Sequence, residues 1–253
     1  NSAHVYEDPG YYEATLTVTD ENGQSVSTTM NIRVLARDGT TYYVDAELGD
    51  DANAGTSPGA GAWRTATHAF AGMATTRYDA GDQILFKRGQ TFDFESGAVS
   101  VGHWAAGYGY MFGAHGTGEK PLLKAVGAGG GYLIHVGGVG SRFITIADLS
   151  FDGAIDGAES PVLWFGPGGG VNLLLLRTDI QNFEQGWLLD GVQTGTGVRS
   201  GLFMVDSTAY NSRVCHTFIQ SYRVALLGNT LDYSGNHAIY GGTIKSAVFS
   251  ENV

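Results

Sequence analysis

Tyr210, Arg213, His216, His237 and Tyr240 are the residues whose types and spacing suit acid–base chemistry. Histidine exchanges a proton near neutral pH, tyrosine can give one to a leaving oxygen, and arginine can neutralise a carboxylate. Together they suit proton abstraction beside a carboxylate followed by elimination, with Trp187, Asp232 and Lys245 as contacts for the reacting molecule. Asp152, Asp179, Asp206 and Asp232 recur at regular intervals, and a pair of carboxylates on neighbouring turns would instead suit acid–base hydrolysis. Asp148, Asp179 and Asp206 also stand where carboxylates cap turns or form ladders. The acidic loop Asp45, Glu47, Asp50, Asp51 and Asn53 offers oxygen ligands, with Asp45, Asp50 and Asp51 as candidate Ca2+ ligands, though its spacing is not that of an EF-hand.

Residues so far apart in the chain can meet only if a repeating element brings them together. Apolar pairs five apart recur as Ile146/Phe151, Leu175/Ile180, Met204/Ala209, Leu226/Leu231 and Val248/Val253, each divided by a small or polar link. Their spacing of 29, 29, 22 and 22 residues, with short β-like runs and glycine turns, predicts one coil of a parallel β-solenoid per repeat. Alignment on these pairs puts Trp187, His216 and His237 close to one column. A leucine-rich repeat shares the period but needs an L-x-x-L-x-L-x-x-N pattern that does not recur. The glycine runs at 128–131 and 166–170 read as turns, since no G-K-S/T follows them.

Upstream, Tyr12 to Asp20 alternates apolar and polar residues, turns through Glu21-Asn22-Gly23, and continues as a second alternating run from Val26 to Val34. Thr41 onward reads as a strand, an acidic loop and a short amphipathic helix carrying Ala66, Ala69, Phe70 and Met73, followed by a strand at Ile84 to Phe86.

The 253 residues include 39 Gly and 5 Pro, with 43% hydrophobic residues, enough for a buried core and without a collagen period. A net charge of −11 argues against nucleic acid and anionic membranes as partners. Nine basic residues face nineteen acidic ones up to residue 176, but five face six from 177 on, so an acidic polymer is better tolerated by the later coils. The single cysteine, Cys215, permits no internal disulfide and reads as a small core residue. No apolar run is long enough to insert in a membrane. The chain opens within a strand-rich unit and stops within a repeat, so it is expected to be a piece of a larger protein.

Two resemblances follow. Pro9, Gly10, Tyr12, Leu16-Thr17-Val18-Thr19-Asp20 and Gly23 resemble the carboxy-terminal half of a PKD-type immunoglobulin-like sandwich, which implies an extracellular module whose partner strands lie upstream or on a neighbour. Tyr43-Val44-Asp45, Gly49-Asp50-Asp51, Gly55-Thr56-Ser57, Trp63-Arg64-Thr65, Gly81 to Gly89 and Gly113 to Pro121 resemble the right-handed parallel β-helix proteins of the pectate-lyase-like superfamily. That likeness spans about 41–253 and implies an all-β, right-handed parallel β-helix with an amino-terminal cap.

The expected organisation is a partial PKD-like sandwich over 1–37, cap and first coils over 38–130, and β-helix coils over 131–253. The resemblance implies an extracellular or cell-surface protein acting on a polysaccharide, by lyase or glycoside hydrolase chemistry, with Ca2+ as the candidate cofactor. The alternative is a non-catalytic surface, adhesin or filament solenoid that self-associates through its truncated sandwich or solenoid ends.

Overall fold

The computed structural model describes residues 4–74, 77–95, 99–101, 109–126, 134–136, 142–153, 163–165, 171–183, 185–190 and 201–253. It is mostly β, built on long parallel sheets. The glycine runs at 128–131 and 166–170 lie outside the described residues.

Successive stretches of 22 to 42 residues lay down short strands that pair with those of the next stretch. On one face run Gln83–Lys87, Tyr110–His115, Arg142–Ala147, Val171–Leu176 and Gly201–Val205, begun by Thr41–Val44. A second face, a six-stranded sheet, holds Thr91–Glu95, Leu122–Val126, Ser150–Asp152, Asp179–Gln181, Thr208–Ser212 and Thr230–Ser234. Val99–Val101, Ile134–Val136, Leu163–Phe165 and Gln185–Asp190 form a third. The long strands Cys215–Leu227 and His237–Ser250 each serve the third face and then the first, fusing both into a 12-stranded sheet.

The second face shows why this sequence stacks. Phe92, Leu123, Phe151, Ile180, Ala209 and Leu231 are successive register partners, and all but the half-buried Leu231 are buried in one interior file. In-register parallel pairing places like positions about 4.8 Å apart, so each apolar side chain is covered by the one above it. Val253 continues the series by backbone bonds alone: Leu231 N donates to Val253 O at 2.8 Å. On the first face Ile146, Leu175, Met204 and Leu226 also form a file, but Leu226 pairs with Phe249 rather than Val248. A register shift between Ile219 and Ser221 explains that correction, because His237–Ser250 takes in one extra residue near Gly241.

The corner between the first and second faces repeats a left-handed residue: Asp148, Arg177, Asp206, Gly228 and Glu251 have φ of 57, 50, 47, 63 and 56°. Just past it stand buried Leu149, Thr178, Ser207 and Asn229. Their polar groups satisfy one another along the stack. Thr178 N donates to Ser207 Oγ at 3.0 Å, Ser207 N to Asn229 Oδ1 at 3.0 Å, and Asn229 Nδ2 to Asn252 Oδ1 at 2.8 Å.

The stack begins under a small cap. The helix Ala66–Ala71 starts where Thr65 Oγ1 accepts from His68 N, and it buries Phe70 against the rings of Phe86, Phe94 and Phe112. Ahead of it, Gly10–Thr19 and Ser25–Val34 form an antiparallel hairpin closed at Gly23, whose φ is +80°. Among the described residues no helix is long and apolar enough to cross a membrane.

Candidate functional site

On the outside of the last second-face strands, Tyr210 and Asp232 are register partners, and Tyr233 sets its ring against Tyr210, centroids 5.2 Å apart. Tyr233 occupies the corner position held by Asn182 and Asn211 in earlier coils, all three left-handed with φ of 63, 55 and 53°. Asparagine tolerates that conformation, whereas tyrosine is strained by roughly 1–2 kcal/mol. Strain of this kind concentrates at working sites. The apolar period gave no hint of Tyr233; its only signal was a bulky residue following Asp232 where the corner calls for Asn or Gly.

Around the next corner the backbone of Val214 accepts from Asn236 N and His237 N, both at 3.1 Å, while Gly235 N donates to Ser212 O at 2.9 Å. A Cβ at Gly235 would lie 2.0 Å from Arg213 O, so only glycine lets the two coils approach this closely. Exposed Arg213 and exposed His237 therefore sit on adjoining coils, and His237 contacts the Tyr240 ring at 5.5 Å. Asp232, Tyr240 and Lys245 are exposed as well. Tyr210, Asp232 and Tyr233 are thus exposed up to one edge of the last two coils, and Arg213, His237 and Tyr240 are exposed just past it.

His216 is not part of that edge. It is fully buried, and neither ring nitrogen has a hydrogen-bond partner among the described residues. Burial lowers its pKa, with the Asp232 backbone and carboxylate opposing in part. Nor do Trp187, His216 and His237 form a column: Trp187 pairs with Thr217 and then Ile239, while His237 pairs with Cys215. The link from Gln181 to Gln185 is one residue shorter than that from Tyr210 to Cys215, and a one-residue offset moves a side chain to the other side of a strand. The side chain of Trp187 lies outside the described residues.

The carboxylates of the acidic loop hold the cap together. Asp45 Oδ2 accepts from Lys87 Nζ at 2.9 Å, and Oδ1 accepts from Gln90 Nε2 at 2.9 Å and from the backbone N–H groups of Glu47 and Leu48. Burial pushes its pKa up, but these donors outweigh that effect and hold it at about 2. Asp50 Oδ1 accepts from Ala52 N. Asp51 accepts from Arg64 N, Thr65 N and Thr65 Oγ1, fixing the residue that caps the helix. The three expected Ca2+ ligands are thus turned to separate donors, and no group of three or more His, Cys, Asp or Glu gathers among the described residues.

The recurring aspartates do not share one column, and only Asp152 and Asp232 align, three coils apart. Asp152 aligns with Gln181, Tyr210 and Asp232; Asp179 aligns with Ser150, Thr208 and Thr230; Asp206 is a corner residue. No two of them are direct register partners. Asp152 accepts from Gln181 and Asn182, and Asp179 accepts from Lys120, Ser150 and Thr208, so both are rungs of outer polar ladders.

Sequence reasoning also missed a polar cluster on the first coils. His115 pairs with Lys87 in register, meets the Tyr43 ring edge-on at 5.1 Å, and has a buried Nε2 with no partner among the described residues. Burial lowers its pKa against the pull of Asp45. Comparison with protein-family models, curated proteins and solved structures finds no match to this chain.

Proposed function

We propose that the chain is a right-handed parallel β-helix preceded by part of a PKD-type module, works outside the cell or on its surface, and binds and cleaves an acidic polysaccharide. The observation that carries this reading is the exposed Tyr210–Tyr233 ring pair on the last two coils, with exposed Arg213 and the His237–Tyr240 pair just past the same corner. Sugar rings present apolar C–H faces that suit the exposed Tyr210–Tyr233 pair, while Arg213 suits a uronate carboxylate. With that carboxylate held, His237 takes the proton from the adjacent carbon. The electron pair forms the new double bond, the glycosidic C–O bond breaks, and Tyr240 gives a proton to the departing oxygen. Elimination is favoured over hydrolysis because none of Asp152, Asp179, Asp206 and Asp232 directly adjoins another across the coils.

The test is a panel of acidic and neutral polysaccharides, with and without Ca2+, followed by ultraviolet absorbance of unsaturated uronates and by reducing ends. Absorbance on an acidic glycan, abolished by Arg213→Ala and cut about 100-fold or more by His237→Ala, is expected. Reducing ends without absorbance would replace elimination by hydrolysis, and absence of both binding and cleavage would defeat the polysaccharide reading.

One observation favours a non-catalytic surface solenoid instead. Leu16, Val18, Val26 and Met30 on one side of the hairpin are 56 to 70% exposed, a surface suited to pairing with another chain.

A further inference from the structure

Where the amino-terminal segment crosses the outside of the first face, a pocket of about 330 Å³ is lined by Leu174 and Phe203 and edged by Phe143, His4, Arg37 and Asn172. Its floor is made by register. Thr145 pairs with Leu174 and Leu174 with Phe203, so one outer column carries two apolar side chains in sequence. Gly201 leaves room for Phe203, since a Cβ there would lie 3.0 Å from the ring and 2.8 Å from Asn172 Oδ1. Phe143 stands at the rim, 57% exposed. Val5 packs beside the pocket against the outer apolar patch of Ala147, Leu176 and Val205.

Arg37 gives this apolar hollow its chemistry. Its Nη1 donates to Gly109 O at 2.9 Å and its Nη2 to Thr145 Oγ1 at 3.0 Å, both neutral acceptors in a part-buried setting. No carboxylate among the described residues forms an ion pair with it. Glu7, on the same crossing segment, is engaged by Arg177 at 2.8 Å, and Asp38 lines the cleft on the other side of Arg37 without pairing to it. A second guanidinium stands at the edge, where Arg223 Nη2 donates to Asn172 Oδ1 at 2.9 Å. In a chain of net charge −11, a part-withdrawn cation held only by neutral acceptors above an apolar floor is complementary to an anion with an apolar body. The volume lies at the small end of ligand pockets, roughly 300–1,000 Å³, and suits a molecule of about one ring.

We propose that this pocket binds a small carboxylate on an aromatic or aliphatic body, with the anion at Arg37 and the body over Phe143, Leu174 and Phe203. The site is separate from the Tyr210–Tyr240 edge and does not depend on what that edge does.

Titration calorimetry on the whole chain with phenylpropanoate, its neutral amide and galacturonate tests it. The acid is expected to bind saturably and the amide about tenfold or more weakly. Arg37→Gln is expected to weaken the acid by a similar factor and leave the amide unchanged, and Arg37→Lys to retain part of the preference. The acid–amide comparison on the unaltered chain stands even if Arg37→Gln fails to fold. Equal binding of acid and amide, no saturable binding of the acid, or galacturonate matching phenylpropanoate would each overturn the proposal.

Discussion

One buried and two half-buried histidines make this chain sensitive to mild acid. His68, His115 and His216 all have pKa values lowered from 6.5, with burial as the main cause. The unfolded chain therefore takes up protons that the folded chain resists, so stability is full above about pH 6.5 and declines as pH falls through it. Urea unfolding between pH 8 and 5 should show that decline. His216→Leu should lessen it, leaving the part due to His68 and His115, and cost little at pH 8, since a buried imidazole whose ring nitrogens lack partners among the described residues is itself unfavourable by about 1–3 kcal/mol. Asp45 works in the opposite range. Its stabilisation is present above the ordinary value of 3.8 and is lost as pH drops toward about 2. Asp45→Ala strands Gln90 and two backbone N–H groups as well as half-exposed Lys87, so the thermal midpoint should fall by the equivalent of about 2–4 kcal/mol. The sequence marked Asp45 as acidic and loop-borne but could not show its partners 42 and 45 residues away.

At the scale of elements, the interior files were legible and the corners were not. Phe151, Ile180, Ala209 and Leu231 follow one another because an apolar residue inside a stacked coil must cover its neighbour, which leaves a fixed period in the sequence. Corner lengths leave no such trace. One extra residue after Tyr210 suffices to separate Trp187 from His216, another near Gly241 exchanges Val248 for Phe249, and His216 stands one position past the register partner of His237. The early coils, with strand offsets of 42 residues from Thr41 to Gln83 and 28 from Gln83 to Met111, have no constant period, so their pattern signalled single strands and a helix rather than a repeat. The buried ladder is the element most exposed to mutation. Asn229 bonds Ser207 N, Met204 O and Asn252 in the interior, so Asn229→Ala should cost about 2–4 kcal/mol by denaturant unfolding, whereas Asn236→Ala on the exposed corner should stay within about 0.5 kcal/mol.

Across the whole molecule, the hairpin and the stack answer to different forces. The stack buries its files inside parallel sheets, while the hairpin leaves Leu16, Val18, Val26 and Met30 in water and is tied on by contacts such as Glu7 with Arg177. A lone two-stranded hairpin is marginal in water. Replacing Leu16, Val26 and Met30 with Ser should therefore leave the unfolding of the stack unchanged, and any self-association seen by sedimentation should disappear. If association persists, the hairpin is not its seat.

Every assignment to the Tyr210–Tyr240 edge depends on Thr208–Ser212 and Thr230–Ser234 being in register. Oxidation of the double variant Thr208→Cys/Thr230→Cys, read by peptide mass spectrometry, tests this directly. These exposed partners should bridge readily, while Thr208→Cys/Asp232→Cys, offset by two positions, should not. Bridging in the offset pair, or in neither, would contradict the stacking on which the site is built.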